Sequence, residues 1–337
     1  METRKVQMTG GSTYVVSLPK KWVKKVNIKS GDSLGIIPRS DDSLLLNPKV
    51  GTRNGISTKI TIVVESNDPE ELVRKFIGAY LAGYSIIEIT RNPRLTKETR
   101  QKIVSLTHWV IGPEIIDETE STMTIKDLLD ASDFSFVIGV KRMYLITKGM
   151  LTDAISALVN GDDALATDVE SRDDEVDKLN WMIAKQYNLV LRDIFFAERM
   201  QVNSQVALGY LQVARIIERI ADHAKKIATN AKLLNSRPTT VKRIESVSKD
   251  ITRVLDVSIE AFYSNRFKSA NDVVNQCKSK SKDIEKLKQL MISTDVDPVT
   301  AVSLAYTIDS LDRTLSYILD IAEISINHQM ASDYSSK

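Results

Sequence analysis

The sequence predicts a multidomain chain in three parts: an N-terminal unit of short β-strands, a small α/β domain, and an all-α body of tandem three-helix bundles. Three observations lead there. Residues 1–50 split into strand-length apolar runs divided by turn residues. Residues 57–130 alternate strand-period with helix-period segments. From Ala131 onward apolar residues recur at three-and-four spacing, with Pro238 and Pro298 the only prolines. A chain of 337 residues that is 42% hydrophobic and 27% charged can bury substantial cores, which excludes a disordered protein.

In the first unit (1–50), Lys5–Met8, Tyr14–Leu18, Ser33–Ile37 and Ser43–Leu46 read as strands, Gly10-Gly11-Ser12 as a hairpin turn, and the segment from Pro19 to Lys25 as a basic turn. A unit this small without disulfides cannot finish a core alone. Two copies interleaving their strands would complete it and cover its edges, so a homodimer through this unit is expected. Gly51–Ser57 reads as a linker. In the α/β domain (57–130), Lys59–Glu65 alternates as a strand, Asp68-Pro69 opens a helix running to Leu81, and Ser85–Thr90 is a second strand. A helix over Thr96–Val110 and a hairpin of Glu114–Glu118 with Thr122–Ile125 complete a βαβ-type plait. The remaining chain holds helix-length segments at 135–160, 163–199, 203–234, 240–266, 269–291 and 299–330. These fall into two similar halves, 131–236 and 238–331, with Asp177-Lys178-Leu179 echoed by Glu285-Lys286-Leu287, so the body reads as a degenerate tandem repeat.

No apolar run reaches the roughly 18 residues of a membrane span, and Met1–Lys5 lacks the apolar stretch of a signal peptide, so a cytoplasmic protein without membrane insertion is expected. The single cysteine, Cys277, excludes an intrachain disulfide and a multi-cysteine zinc site, and three histidines leave little scope for imidazole clusters. Any metal must then rest on carboxylates. Net charge is only +2, but residues 1–50 carry nine Lys or Arg against four acids, leaving the rest of the chain at about −3.

Glu218 and Asp222 lie four apart on one predicted helix, as do Asp173 and Asp177 on another. Like charges at that spacing destabilise a helix unless compensated. A hard cation between facing helices would compensate them, since oxygen donors suit magnesium, calcium, manganese or iron. Local bases offer the other compensation: Arg215 and Arg219 flank Glu218, and Lys226 lies four beyond Asp222. His223 reads as a packing residue with ligation as the alternative, and Cys277 as a small apolar residue rather than a nucleophile. Trp181, Tyr187, Phe195 and Phe196, at helical spacings, read as core. Lys20, Lys21, Lys24 and Lys25 form either a contact surface for DNA phosphates or a solvated charged face. Gly10-Gly11-Ser12 completes neither a P-loop nor a dinucleotide fingerprint.

Two family resemblances cover most of the chain. Residues 4–48 resemble the AbrB/SpoVT/MazE-like domain through Val6–Ser12, Tyr14–Lys20, Lys21-Trp22, Gly31-Asp32 and Leu44–Pro48. That resemblance implies a swapped-hairpin β-barrel built by two chains, whose basic face binds DNA, with Arg4, Lys5, Lys20, Lys21, Lys24 and Lys25 as the DNA-binding candidates. Residues from about 135 to 330 resemble the PhoU family, most strongly in Ile217-Glu218-Arg219-Ile220-Ala221-Asp222-His223-Ala224. By that resemblance Glu218 and Asp222, faced by Asp173, Asp174 and Asp177, would hold a divalent metal or iron. It also implies a link to phosphate transport and negative control of phosphate uptake. In the second bundle Asp312-Arg313 aligns with Glu218-Arg219, but Ser316 replaces Asp222 while Ser281 and Lys282 replace the acids at 173 and 174, so one site per chain is expected. A barrel fused to PhoU-like bundles is similar to the archaeal form of these regulators. The expected function is a homodimeric, DNA-binding transcriptional regulator of phosphate uptake and homeostasis, partnered by DNA and by a phosphate-transporter component or phosphate-signalling protein. The alternative is a dimeric adaptor that down-regulates such a transporter or its signalling complex without specific DNA binding. No catalytic residue is expected; a carboxylate-metal hydrolase is the remaining class.

Overall fold

The computed structural model describes residues 2–38, 42–48, 58–65 and 68–335, with side chains described as far as residue 330. The predicted linker over 51–57 lies outside the described residues. The chain forms two compact units, Met1–Ser57 and Thr58–Lys337.

The first unit contains two separate antiparallel hairpins. In one, β1 (Gln7–Thr9) pairs with β2 (Thr13–Val15). Its turn needs the left-handed backbone of Gly10 and Gly11, φ 63° and 81°, which glycine adopts without a Cβ clash. In the other, β3 (Gly35–Pro38) pairs with β4 (Leu44–Asn47). Between the hairpins the structure corrects the expected basic turn: Lys20–Val26 is a helix, α1, preceded by Pro19 at φ −61° and stopped by Asn27 in the left-handed region. No described residue of this unit is buried, and Val6, Met8, Tyr14, Ile36 and Leu44 are all exposed. A single copy thus leaves its apolar residues in water.

In the second unit the α/β domain runs β5 (Lys59–Val63), α2 (Pro69–Leu81), β6 (Ile86–Thr90), α3 (Lys97–His108), β7 (Pro113–Glu118) and β8 (Thr122–Asp127). Asp68 and Thr96 cap the helices by accepting from the N–H groups of Glu70 and Thr99. The sheet order is β5-β6-β8-β7, with β5 parallel to β6 and the other pairs antiparallel. Ile62, Ile87, Ile89, Met123 and Ile125 form one apolar core with Phe76, Tyr80, Ile103 and Leu106 of the two helices. The opposite sheet face carries Lys59, Thr61 and Glu88, joined at 2.8 Å and 3.0 Å.

The helical body comprises α4 (Phe136–Asn160), α5 (Asp163–Arg192), α6 (Ile194–Arg199), α7 (Ser204–Ala231), α8 (Thr240–Ser264), α9 (Phe267–Ile292) and α10 (Pro298–Ser335). These match the expected segments with one correction. The segment 163–199 is broken at Asp193, which turns extended (φ −125°, ψ 104°) and accepts the N–H of Phe195, closing α5 and capping α6 with one residue. The two bundles share a continuous apolar core rather than separate ones. Across them, Asp256 accepts from Tyr144 at 2.6 Å and from Lys148 at 2.8 Å. Phe196 is buried as expected, Trp181 packs against the α/β core, and Tyr187 lines the helical core.

Helix α5 also fastens the α/β domain. Lys185, 3% exposed, forms an ion pair with Asp127 and lies 4.6 Å over the Tyr80 ring. Further along the helix, Asn188 donates to the Leu81 carbonyl at 2.7 Å and, two turns beyond Lys185, Arg192 donates to that of Ala82 at 2.6 Å. A buried ion pair with one partner removed leaves an uncompensated charge. Lys185→Ala is therefore expected to cost about 3–5 kcal/mol in urea unfolding. The pair Lys185→Met with Asp127→Leu, which buries no charge, is expected to recover most of that loss.

Candidate metal centre and nucleic-acid interface

Helices α5 and α7 pack through Val169, Val176, Leu179 and Ile183 on one side and Val213, Ile217, Ile220 and Ala224 on the other, all buried. Packing these stripes forces the polar residues beside them into one seam. The seam reads Glu170, Asp173 and Asp177 on α5, and Glu218, Asp222, Lys225 and Thr229 on α7 with Lys232 just past its end, each step three or four residues. At its end Glu170 is neutralised, accepting from Thr229 at 2.7 Å and Lys232 at 2.6 Å. Towards its centre negative charge accumulates. Asp173 is buried at 4% exposure, and its Oδ2 accepts from Lys225 at 2.7 Å while its Oδ1 is buried with no hydrogen-bond partner.

The neighbouring acids feel both the burial and one another. Burial, then the charges of Asp173 and Asp222, push the Asp177 carboxyl up to about 6. Burial, then Asp222 and Asp177, push Glu218 up to about 7. Asp222 is raised by burial and by Asp173 against the opposing pull of Lys226 and Lys225. Arg219 opposes the shift of Glu218 but does not cancel it; its guanidinium lies over the Tyr317 ring, 5.9 Å from the centroid. The local bases named from the sequence therefore compensate only partly. Asp174 is exposed, and its charge is the smallest of the pushes on Asp177 and also acts on Lys225. His223 is 8% exposed, its ring 5.8 Å from that of Tyr317, and burial lowers it to about 4, so it is neutral at pH 7. Cys277 is buried and its thiol is pushed up to about 11 by burial, the opposite of an activated nucleophile.

Sequence reasoning missed four residues of the seam, Glu170, Lys225, Thr229 and Lys232, of which Lys225 bonds one of the predicted acids directly. The signal for Lys225 was its position seven residues beyond Glu218, which places it on the same helix face. The donors fit a hard cation in chemistry: oxygens only, one of them buried and unpartnered, in excess negative charge. Yet among the described residues no group of three or more His, Cys, Asp or Glu side chains is arranged to hold a metal ion. With Lys225 on Asp173, the seam carries an internal ammonium instead. In the second bundle Lys288 bridges Asp312 at 2.8 Å across the corresponding α9–α10 seam and Glu285 at 2.9 Å on its own helix, while on the α8–α9 side Lys280 bonds Asp250 at 2.7 Å.

In the first unit Lys20, Lys21, Lys24 and Lys25 are all exposed on α1, while Trp22 and Val23 are half-buried. The helix collects these lysines into i, i+4 rows that the expected turn would not have made. Lys5 is exposed, and Arg4 is paired with Glu2. No helix among the described residues is long and apolar enough to cross a membrane.

Residues 140–231 match the PhoU domain, and residues 7–54 match the family described as antidote-toxin recognition MazE, bacterial antitoxin. Among solved structures, PhoU from Pseudomonas aeruginosa aligns with a TM-score of 0.51 at 18% identity, covering 57% of this chain and 94% of that one. The phosphate transport system regulatory protein PhoU from Streptococcus pneumoniae aligns with a TM-score of 0.50 at 16% identity, covering 57% of this chain and 92% of that one. A comparison with curated proteins returns no match. At these identities the structural likeness establishes the fold: the helical body is PhoU-like.

A carboxyl raised on folding binds its proton more tightly in the folded state, so its penalty is absent below the unfolded value near 4, grows as pH rises, and is complete above the folded value. Metal-free protein is thus expected to lose stability between about pH 4 and 7 through Asp177 and Glu218. Glu218→Gln is expected to flatten that slope and to raise stability at pH 7.5 by about 1 kcal/mol after discounting for solvent screening, as read by thermal unfolding in chelator. Lys225→Met is expected to tighten divalent-metal binding about tenfold or more in calorimetric titration, since it removes the competing cation.

Proposed function

We propose that this chain, whose helical body is similar to the PhoU domain and whose N-terminal unit is similar to MazE, is a DNA-binding regulator of phosphate uptake and phosphate homeostasis in the cytoplasm. The observation that carries the reading is the division of labour along the chain: an exposed basic helix in a unit that buries nothing, joined to a PhoU-like body with an under-neutralised carboxylate seam. The first unit is read as half of a two-chain barrel, because Tyr14, Met8, Val6, Ile36 and Leu44 would leave water when a second copy interleaves with it. On that barrel Lys20, Lys21, Lys24 and Lys25, with Arg4 and Lys5, would meet the DNA phosphates.

In the body, Asp173, Asp177, Glu218 and Asp222 would hold a divalent metal or iron, with Asp174 at the rim and Lys225 released from Asp173. A bound cation would offset repulsion between α5 and α7 and offer positive charge to an oxyanion such as phosphate. The reading needs no catalytic step. Its partner beyond DNA would be a component of a phosphate transporter or its signalling complex.

A dimeric adaptor would use the same barrel only to join two bodies, and the exposed apolar residues of the first unit favour dimerisation under either reading. Genome-wide crosslinking in phosphate-rich and phosphate-starved cells separates them. Enrichment at phosphate-transport promoters that changes with supply, lost when Lys20, Lys21, Lys24 and Lys25 are all alanine, is expected of the regulator. A protein that recovers no promoter in either condition but still copurifies with a transporter component would be the adaptor.

A further inference from the structure

The α/β domain has two edges, and they are treated differently. The β7 edge begins at Pro113, is broken by an irregularity between Ile115 and Asp117, and carries Glu114, Asp117 and Glu118. Proline, bulges and charge are the devices that stop an edge from pairing. The β5 edge has none of these beyond Lys59 at its start. The N–H of Val64 bonds the Thr90 carbonyl at 2.8 Å and the Thr58 carbonyl accepts from Ile86 at 3.1 Å, so even-numbered residues face β6. By alternation the backbone groups of Lys59, Thr61 and Val63 face away from the sheet. Beside them lies a groove of about 470 Å³ lined by Ile60, Ile62, Val63, Lys75, Gly78 and Tyr84. Gly78 sits inside α2, where glycine is destabilising relative to alanine, yet a Cβ there would meet nothing within 4 Å. Packing within this chain does not require the glycine; close approach of another helix would.

We infer that β5 pairs antiparallel with β5 of a second copy, joining two four-stranded sheets into one across a two-fold axis at Ile62. In that register Thr61 faces Val63 of the second copy, and Lys59 faces its Glu65, so opposite charges meet at both ends of the ladder. Ile60, Ile62 and Val64 of the incoming strand enter the groove, and the two α2 helices approach at Gly78. The inference draws on the two-chain reading of the N-terminal unit for its tether. Thr58 follows Pro48 by ten residues, a reach of at most about 36 Å, so dimerisation there would hold two β5 strands at high effective concentration.

The test uses full-length Val63→Cys protein in a Cys277→Ser background, treated with a short bismaleimide and sized by light scattering. Val63 is 48% exposed, so its replacement is reachable. A covalent dimer is expected from this variant, its loss when Gly78→Leu is added, and none from Glu118→Cys on the β7 edge. Gly78→Leu points into open space and should leave the unfolding midpoint intact, which circular dichroism checks. A dimer by light scattering that does not crosslink, or a crosslink indifferent to Gly78→Leu, would overturn β5 pairing and leave the N-terminal dimer standing. A monomer that crosslinks only as concentration is raised would remove the N-terminal dimer and keep β5 pairing, and a monomer without a crosslink would overturn both.

Discussion

Electrostatic repulsion held in place by hydrophobic packing is the constraint on which the helical body turns. Each buried valine, leucine or isoleucine of the α5–α7 interface contributes about 1.5–3 kcal/mol, whereas a like-charge pair at helical spacing costs a few tenths. Packing wins. Asp173, Asp177, Glu218 and Asp222 are thereby carried into one seam that they would not form by themselves. The strain shows in the raised carboxyls of Asp177 and Glu218 and in the buried, unpartnered Oδ1 of Asp173. Charge stored in this way is a free-energy difference that a cation can collect, which is why the seam is a candidate sensor rather than a stabilising feature.

The same helix links that seam to the α/β domain. Asp173 and Lys185 are twelve residues apart on α5, about 18 Å along a continuous helix. Lys185, Asn188 and Arg192 hold the α/β domain through a buried ion pair and two carbonyl contacts. In the second bundle Lys288 pairs Asp312 across the α9–α10 seam and Lys280 pairs Asp250 between α8 and α9, and its apolar residues run into the core of the first bundle.

The architecture was largely legible because its signals are periodic. The three-and-four spacing of α4 to α10 located each long helix to within a few residues, and the caps Ser135, Asp162 and Asn203 sit where the pattern starts. What escaped were events decided by single residues or by neighbours distant in sequence. Asp193 breaks a long apolar pattern because its own carboxylate caps the next helix, and α1 forms because Pro19 and Asn27 bracket seven residues too few to show a period. Among the site residues, the acids announced themselves by their i, i+4 spacing. Lys225 did not, since its partner Asp173 is 52 residues away and only packing brings them together. Lys185 was equally silent, because a lysine becomes 97% buried only when a carboxylate from another domain receives it.

The proposed function needs the helical body to bind a cation and the N-terminal unit to bind DNA, and the coupling between the two is the thing to measure. DNA affinity of the protein would be titrated at fixed ionic strength with chelator and then with divalent metal. The same titration would be run on the variant carrying Asp173→Asn and Asp222→Asn. A metal-dependent change in affinity that the variant lacks is expected, with both proteins binding alike in chelator. Equal affinity of the unaltered protein with and without metal, in a protein shown to bind the metal, would contradict that coupling.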